Sequence, residues 1–148
     1  MDEANPEQGA QQRIEKLPAL DKALLCAQVA AAHKAERPLI FYVAETTSFT
    51  DYLVVCSARS TRHVQGIAEH MEAALRKRRV KPMGVEGMRE GHWVLLDFND
   101  VVVHIFYQPL RAFYNLEGLW EEARQVEFSE VPEEIPESAP PERPETEF

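Results

Sequence analysis

The chain has 148 residues, 45% of them hydrophobic, a formal net charge of −9 and two cysteines. That length suits one core and one domain, and no apolar run approaches the ~20 residues a membrane helix needs. With Cys26 in a helical pattern, Cys56 in a strand pattern and no His or Cys near either at ligand spacing, a disulfide framework and a cysteine metal site are excluded and both read as reduced core residues.

Residues 1–16 are polar and acidic, with neither the order of a secretory signal nor the Arg-rich character of a transit peptide. They are expected to be disordered, and the expected compartment is the cytoplasm. A first helix is predicted over 19–35, with Leu20, Leu24, Ala27 and Ala31 on one stripe and Pro38 stopping it soon after. Segments 39–44 (LIFYVA) and 52–57 (YLVVCS) are short and almost continuously apolar, as central strands covered on both faces tend to be; 46–51 links them.

Ser60 or Thr61 then offers an N-cap to a second helix, in which Val64, Ile67, Ala68, Met71 and Leu75 recur at helical spacing up to the basic run RKRRVK, 76–81, and Pro82. The cations of that run suit a helix C-terminus, where the dipole favours them and their stems lie over apolar surface. Their clustering would also attract RNA phosphate, but no aromatics at stacking spacing accompany them, so the structural reading is preferred and direct RNA contact is left open.

A short extended piece, 83–86, leads through Gly87 and Gly91 to the most informative stretch, GHWVLLDFNDVVVHIFYQPLRAFY, 91–114. Period-2 alternation on each side of Asn99-Asp100 predicts a hairpin with those two residues at its tip, Asn tolerating positive φ there. Pairing Phe98 with Val101 puts Leu96 opposite Val103 and Val94 opposite Ile105, all on a core face. The other face then carries Asp97 with Val102, Leu95 with His104 and Trp93 with Phe106. It is too apolar for bulk solvent and too polar for an interior, so either a partner or a helix of the same domain must cover it.

Pro109 opens a short helical segment ending near Asn115, and a final turn over 116–124 is expected to return Leu119 and Trp120 to the core. From 127 onward there are eight Glu, one Arg and five of the ten prolines, a net −7; that composition cannot bury enough apolar surface to offset ordering. The expected organisation is a folded domain over 17–125 and an acidic, Pro-rich disordered tail over 126–148, best read as a solubility tail. The element order implies a compact α/β (α+β) domain with a mixed sheet of about five strands flanked by helices.

No residue set reads as a catalytic mechanism. Asp97 lies on a strand and Asp100 in the turn, so the two need not converge on a metal, and no Gly-Ser loop precedes them. The corner SARSTR, 57–62, lacks glycine and reads as a helix cap rather than a phosphate site. His33, His63, His70 and His92 fall on surfaces or element ends. His104 has no Ser or Cys beside it and reads as a polar interface contact or a satisfied structural histidine. No cofactor is expected.

Three separated stretches, TDYLVVCSARSTRHV (50–64), VEGMREGHWVLLDFNDVVVHIF (85–106) and RAFYNLEGLWEEA (111–123), together resemble the Iojap family, also called ribosomal silencing factor RsfS. The resemblance spans about 20–123. Departures stand at Ala58 and Asn99, where the family usually has Gly, and at His63, where it usually has Gln.

The resemblance implies a nucleotidyltransferase-like fold without catalytic carboxylates, and a non-enzymatic protein. It also implies binding to the large ribosomal subunit through its protein number fourteen, blocking small-subunit joining and lowering translation when nutrients are scarce. Carried over, the contact surface would comprise Trp93, Leu95, Asp97, His104 and Phe106, with Arg111 and Tyr114 adjacent. The alternatives are an active nucleotidyltransferase, which would need Mg²⁺-dependent turnover lost in Asp97→Asn, and a general RNA-binding adaptor relying on 76–79. Self-association of the aromatic face in the free protein is left open.

Overall fold

The computed structural model describes residues 17–129; the segment 1–16 and most of the expected tail lie outside the described residues. In chain order the elements are α1 (Ala19–Ala32), β1 (Glu36–Tyr42), β2 (Tyr52–Ala58), α2 (Thr61–Lys77), β3 (Gly84–Glu86), β4 (Trp93–Asp97), β5 (Val101–Tyr107), α3 (Gln108–Tyr114), a 3-10 turn (Leu116–Trp120) and β6 (Arg124–Val126). The six strands form one sheet in the order β3-β4-β5-β2-β1-β6. Only β2 and β5 pair in parallel; the other pairs are antiparallel. The mixed α/β class expected from the sequence is therefore correct, with one strand more than expected.

The helices α1 and α2 cover one sheet face. Their buried positions, Ala23, Cys26, Ala27 and Ala30 on α1 and Val64, Ile67, Ala68, Met71 and Leu75 on α2, meet Ile40, Val54, Val94, Leu96, Phe98, Val103 and Ile105. The α2 stripe is the expected one. The α1 stripe is not: Leu20 is exposed and small residues line the contact, which lets the helix backbone approach the sheet while Leu24 and Leu25 pack at the margin. The helix also stops at Ala32, short of the expected 35, because Lys34 turns left-handed at φ 66. Ser60 caps α2 as expected, its hydroxyl accepting the His63 N–H at 3.0 Å.

β1 starts three residues earlier than its apolar run, at Glu36, because its ladder with β2 shifts register between Glu36 and Leu39, where Arg37 (φ 47) and Pro38 interrupt the pairing. At the other end of the chain, β6 pairs with β1, Ile40 opposite Val126, and Phe128 packs against the core. Val126, assigned to the tail from sequence, is thus part of the sheet. Its strand is short and polar, Arg-Gln-Val, and carries no alternation to announce it.

Candidate functional site

The hairpin register is the one predicted: Trp93 opposite Phe106, Val94 opposite Ile105, Leu95 opposite His104, Leu96 opposite Val103 and Asp97 opposite Val102. Asn99 at the tip has φ 78. Two ties hold this ribbon. Lys22 on α1 donates to Asp100 Oδ1 at 2.7 Å, fixing the tip, and Gln65 on α2 donates to Met88 O at 2.8 Å, fixing the loop before β4. In that loop Gly87 has φ 82, and any Cβ there would strike the Trp93 carbonyl, so only glycine lets the loop pass so close to β4.

The non-helical face of the sheet is covered in part from within the domain. α3 follows β5 without a loop, with Pro109 in its first turn, and Leu110, Leu116, Trp120 and Ala123 pack over Phe41, Val43, Leu53, Val55, Val102 and Phe106. Both coverings considered from sequence are therefore relevant: the domain supplies one locally and leaves a rim.

The seven residues expected at the contact surface separate accordingly. Phe106 is completely buried, His104 nearly so, and Arg111 is buried. Trp93, Leu95 and Asp97 are half-buried, and Tyr114 is exposed. Trp93 is the hub: its ring lies 4.8 Å from those of Phe106 and Tyr114, and its indole N–H donates to His104 Nδ1 at 2.9 Å. That bond requires an unprotonated Nδ1, and burial pushes the imidazole down to about 4, so His104 is a neutral acceptor that orients Trp93. The Asp97 carboxylate accepts the Asn99 N–H at 2.8 Å, which stiffens the tip and leaves its other oxygen available.

Arg111 is engaged within the domain. Its guanidinium donates to Ser57 Oγ and Glu36 O at 3.0 and 2.9 Å, to Arg37 O at 2.8 Å and to Glu117 at 3.2 Å. The two carbonyls are those released by the β1 irregularity, so Arg111 satisfies them and ties α3 to the strand end. Phe106 is likewise covered within the domain: α3 and the 3-10 turn lie over it.

Two surface residues escaped the sequence reading. Phe113 is 75% exposed and makes an edge contact with Tyr114 at 5.0 Å; Leu119, expected in the core, is 72% exposed. In the 3-10 turn Leu116 and Trp120 take the inward positions, and Leu119 is turned out. The Trp120 indole N–H is buried without an acceptor among the described residues. Phe113 could have been found, since within RAFYN it lies between two residues already assigned to the face.

The two carboxylates weighed as a metal pair are engaged apart, Asp97 with the tip backbone and Asp100 with Lys22. Among the described residues no group of three or more His, Cys, Asp or Glu is arranged to hold a metal ion, and no helix is long and apolar enough to cross a membrane. Both cysteines are buried free thiols, and burial pushes both upward, Cys56 to about 12, which favours the protonated thiol in each.

A family model described as "Ribosomal silencing factor during starvation" matches residues 16–147. A ribosomal silencing factor RsfS of Halalkalibacterium halodurans is 35% identical over 98 residues, spanning 66% of this chain and 84% of that protein. The chloroplastic protein Iojap of Arabidopsis thaliana is 32% identical over 106 residues, spanning 72% of this chain and 44% of that protein. Among solved structures, a crystal structure of a Chromobacterium violaceum protein superposes with a TM-score of 0.69 at 26% identity, covering 76% of this chain and 93% of that one.

Proposed function

The chain belongs to the RsfS family, and from that premise we propose that it is a ribosomal silencing factor that binds the large subunit through protein number fourteen and blocks small-subunit joining. The reading is non-enzymatic and cytoplasmic: binding and bulk do the work, and translation falls when nutrients are scarce.

The observation that carries it is the aromatic series running from inside the sheet to solvent. Phe106 and His104 form its buried base, Trp93 its half-buried hub, and Tyr114 and Phe113 its exposed end. Aromatic side chains held by their neighbours lose little conformational freedom on binding, which is what an interface anchor requires. Half-buried Leu95 adds apolar area beside them, and the second oxygen of Asp97 offers an acceptor to a basic ribosomal protein. The exposed end is also the surface through which two free copies could associate.

The test is the affinity of the purified protein for isolated ribosomal protein number fourteen. Phe113→Ala with Tyr114→Ala should weaken binding at least about ten-fold, while thermal unfolding moves only modestly because Phe113 is largely in solvent and Tyr114 half so. Unchanged affinity in the folded double variant would remove this face from the interface.

A further inference from the structure

The basic run at the end of α2 has more cations than its helix needs. Five of the chain's 16 Lys and Arg lie within 76–81. Arg76 and Lys77 occupy the last helical turn, where the dipole accounts for them, but that effect fades beyond the turn. Arg79 and Lys81 lie past it. The backbone there is firmly held: Arg78 and Val80 N–H both donate to Leu75 O at 2.9 Å, Arg79 takes φ 66, and Val80 is buried in the core. Arg76, Lys77, Arg79 and Lys81 are all exposed and line one shallow depression of about 640 Å³. None of them forms an ion pair among the described residues, whereas Lys22, Arg37, Arg59 and Arg111 each do.

We propose that Arg76, Lys77, Arg79 and Lys81 form a binding surface for the phosphate backbone of RNA, and that on the ribosome this RNA is the ribosomal RNA flanking the protein contact. The second clause rests on the function proposed above. Convergent cations on a rigid turn, with no carboxylate among the described residues in ion-pair contact with them, suit a chain of phosphates, each contact releasing counterions. Two residues after Lys81, the Met83 N–H bonds to Asp97 O, so the patch adjoins the end of β4 at the hairpin tip. No base-reading geometry is present, so the binding should be indifferent to sequence.

The experiment measures affinity at four salt concentrations for two probes, isolated large subunits and a 20-base-pair RNA duplex. It compares the wild type with Arg76→Gln/Lys77→Gln/Arg79→Asn/Lys81→Gln and with the charge-keeping Arg76→Lys/Arg79→Lys. Asn is chosen at 79 because it tolerates positive φ. For both probes the neutralised variant should lose at least about ten-fold in affinity near 0.15 M salt, and the slope of log affinity against log salt should fall by about 3. The charge-keeping variant should stay close to wild type.

A wild type that fails to bind large subunits would refute the proposed silencing function. The duplex arm then still decides the patch: loss of duplex binding on neutralisation upholds it. A wild type that does not bind the duplex, or a folded neutralised variant that binds it equally well, overturns it. In the last case the chain's own acidic stretch, 127–148, becomes the better counter-charge.

Discussion

His104 and Trp93 form a unit whose properties follow from one hydrogen bond. The Trp93 N–H needs a lone pair on His104 Nδ1, and burial keeps the ring neutral by holding it near 4. The unfolded chain takes up this proton near 6.5, so the folded state is progressively disfavoured as pH falls from about 6.5 towards 4 and gains nothing further above 6.5. The linked loss is up to about 3 kcal/mol. Urea unfolding at pH 7 and pH 4.5 should register most of it, and His104→Gln should flatten the difference. Arg111 makes the opposite kind of prediction. Its replacement by Met would leave the Arg37 carbonyl without its donor, the Glu36 carbonyl with only the 3.5 Å bond from the Ser57 hydroxyl and Glu117 with only the 3.7 Å ion pair to Arg37, at a cost of about 3–5 kcal/mol in urea unfolding. A loss below about 1 kcal/mol would mean that the network is dispensable.

At the scale of elements, the hairpin was the part most legible in the sequence. Alternation on both sides of Asn99-Asp100 fixes which side chains share a face, since a one-residue slip would turn Val94, Leu96 and Phe98 outward. The α2 stripe and its Ser60 cap were legible for the same reason, a strong local period and a cap at its start. Ser60→Ala should cost about 1 kcal/mol, measurable as a lower urea midpoint with unchanged slope. What the sequence did not disclose depends on contacts between distant segments. β6 exists because β1 has a free edge for Arg124–Val126, and Phe106 is buried because α3 turns back over β5. The burial of Arg111 could not be read either: its acceptors are carbonyls exposed by an irregularity some 75 residues earlier in the chain. Leu119 was misjudged because a short 3-10 turn offers too few residues for a period to show which side faces inward.

For the whole molecule, the fold separates two surfaces by chemistry. One sheet face is sealed by α1 and α2. The other is sealed only in part, leaving Trp93, Tyr114 and Phe113 as a graded aromatic rim on a hairpin pinned at its tip by Lys22 and at its base by Gln65. On the function proposed above, such a rim would be the fixed anchor and the bulk of the domain behind it the obstruction. The cations at 76–81 lie towards the tip end of that same hairpin, where phosphate contacts would set orientation without specifying sequence.

Silencing is put to the test by sedimenting the protein with isolated large subunits, isolated small subunits and a reassociating mixture of the two, with Phe113→Ala/Tyr114→Ala as control. A silencing factor that acts through this rim should co-migrate with large subunits alone, leave fewer whole ribosomes in the mixture, and lose both effects in the double variant. Co-migration with small subunits, or an undiminished yield of whole ribosomes with the protein bound, would contradict that role.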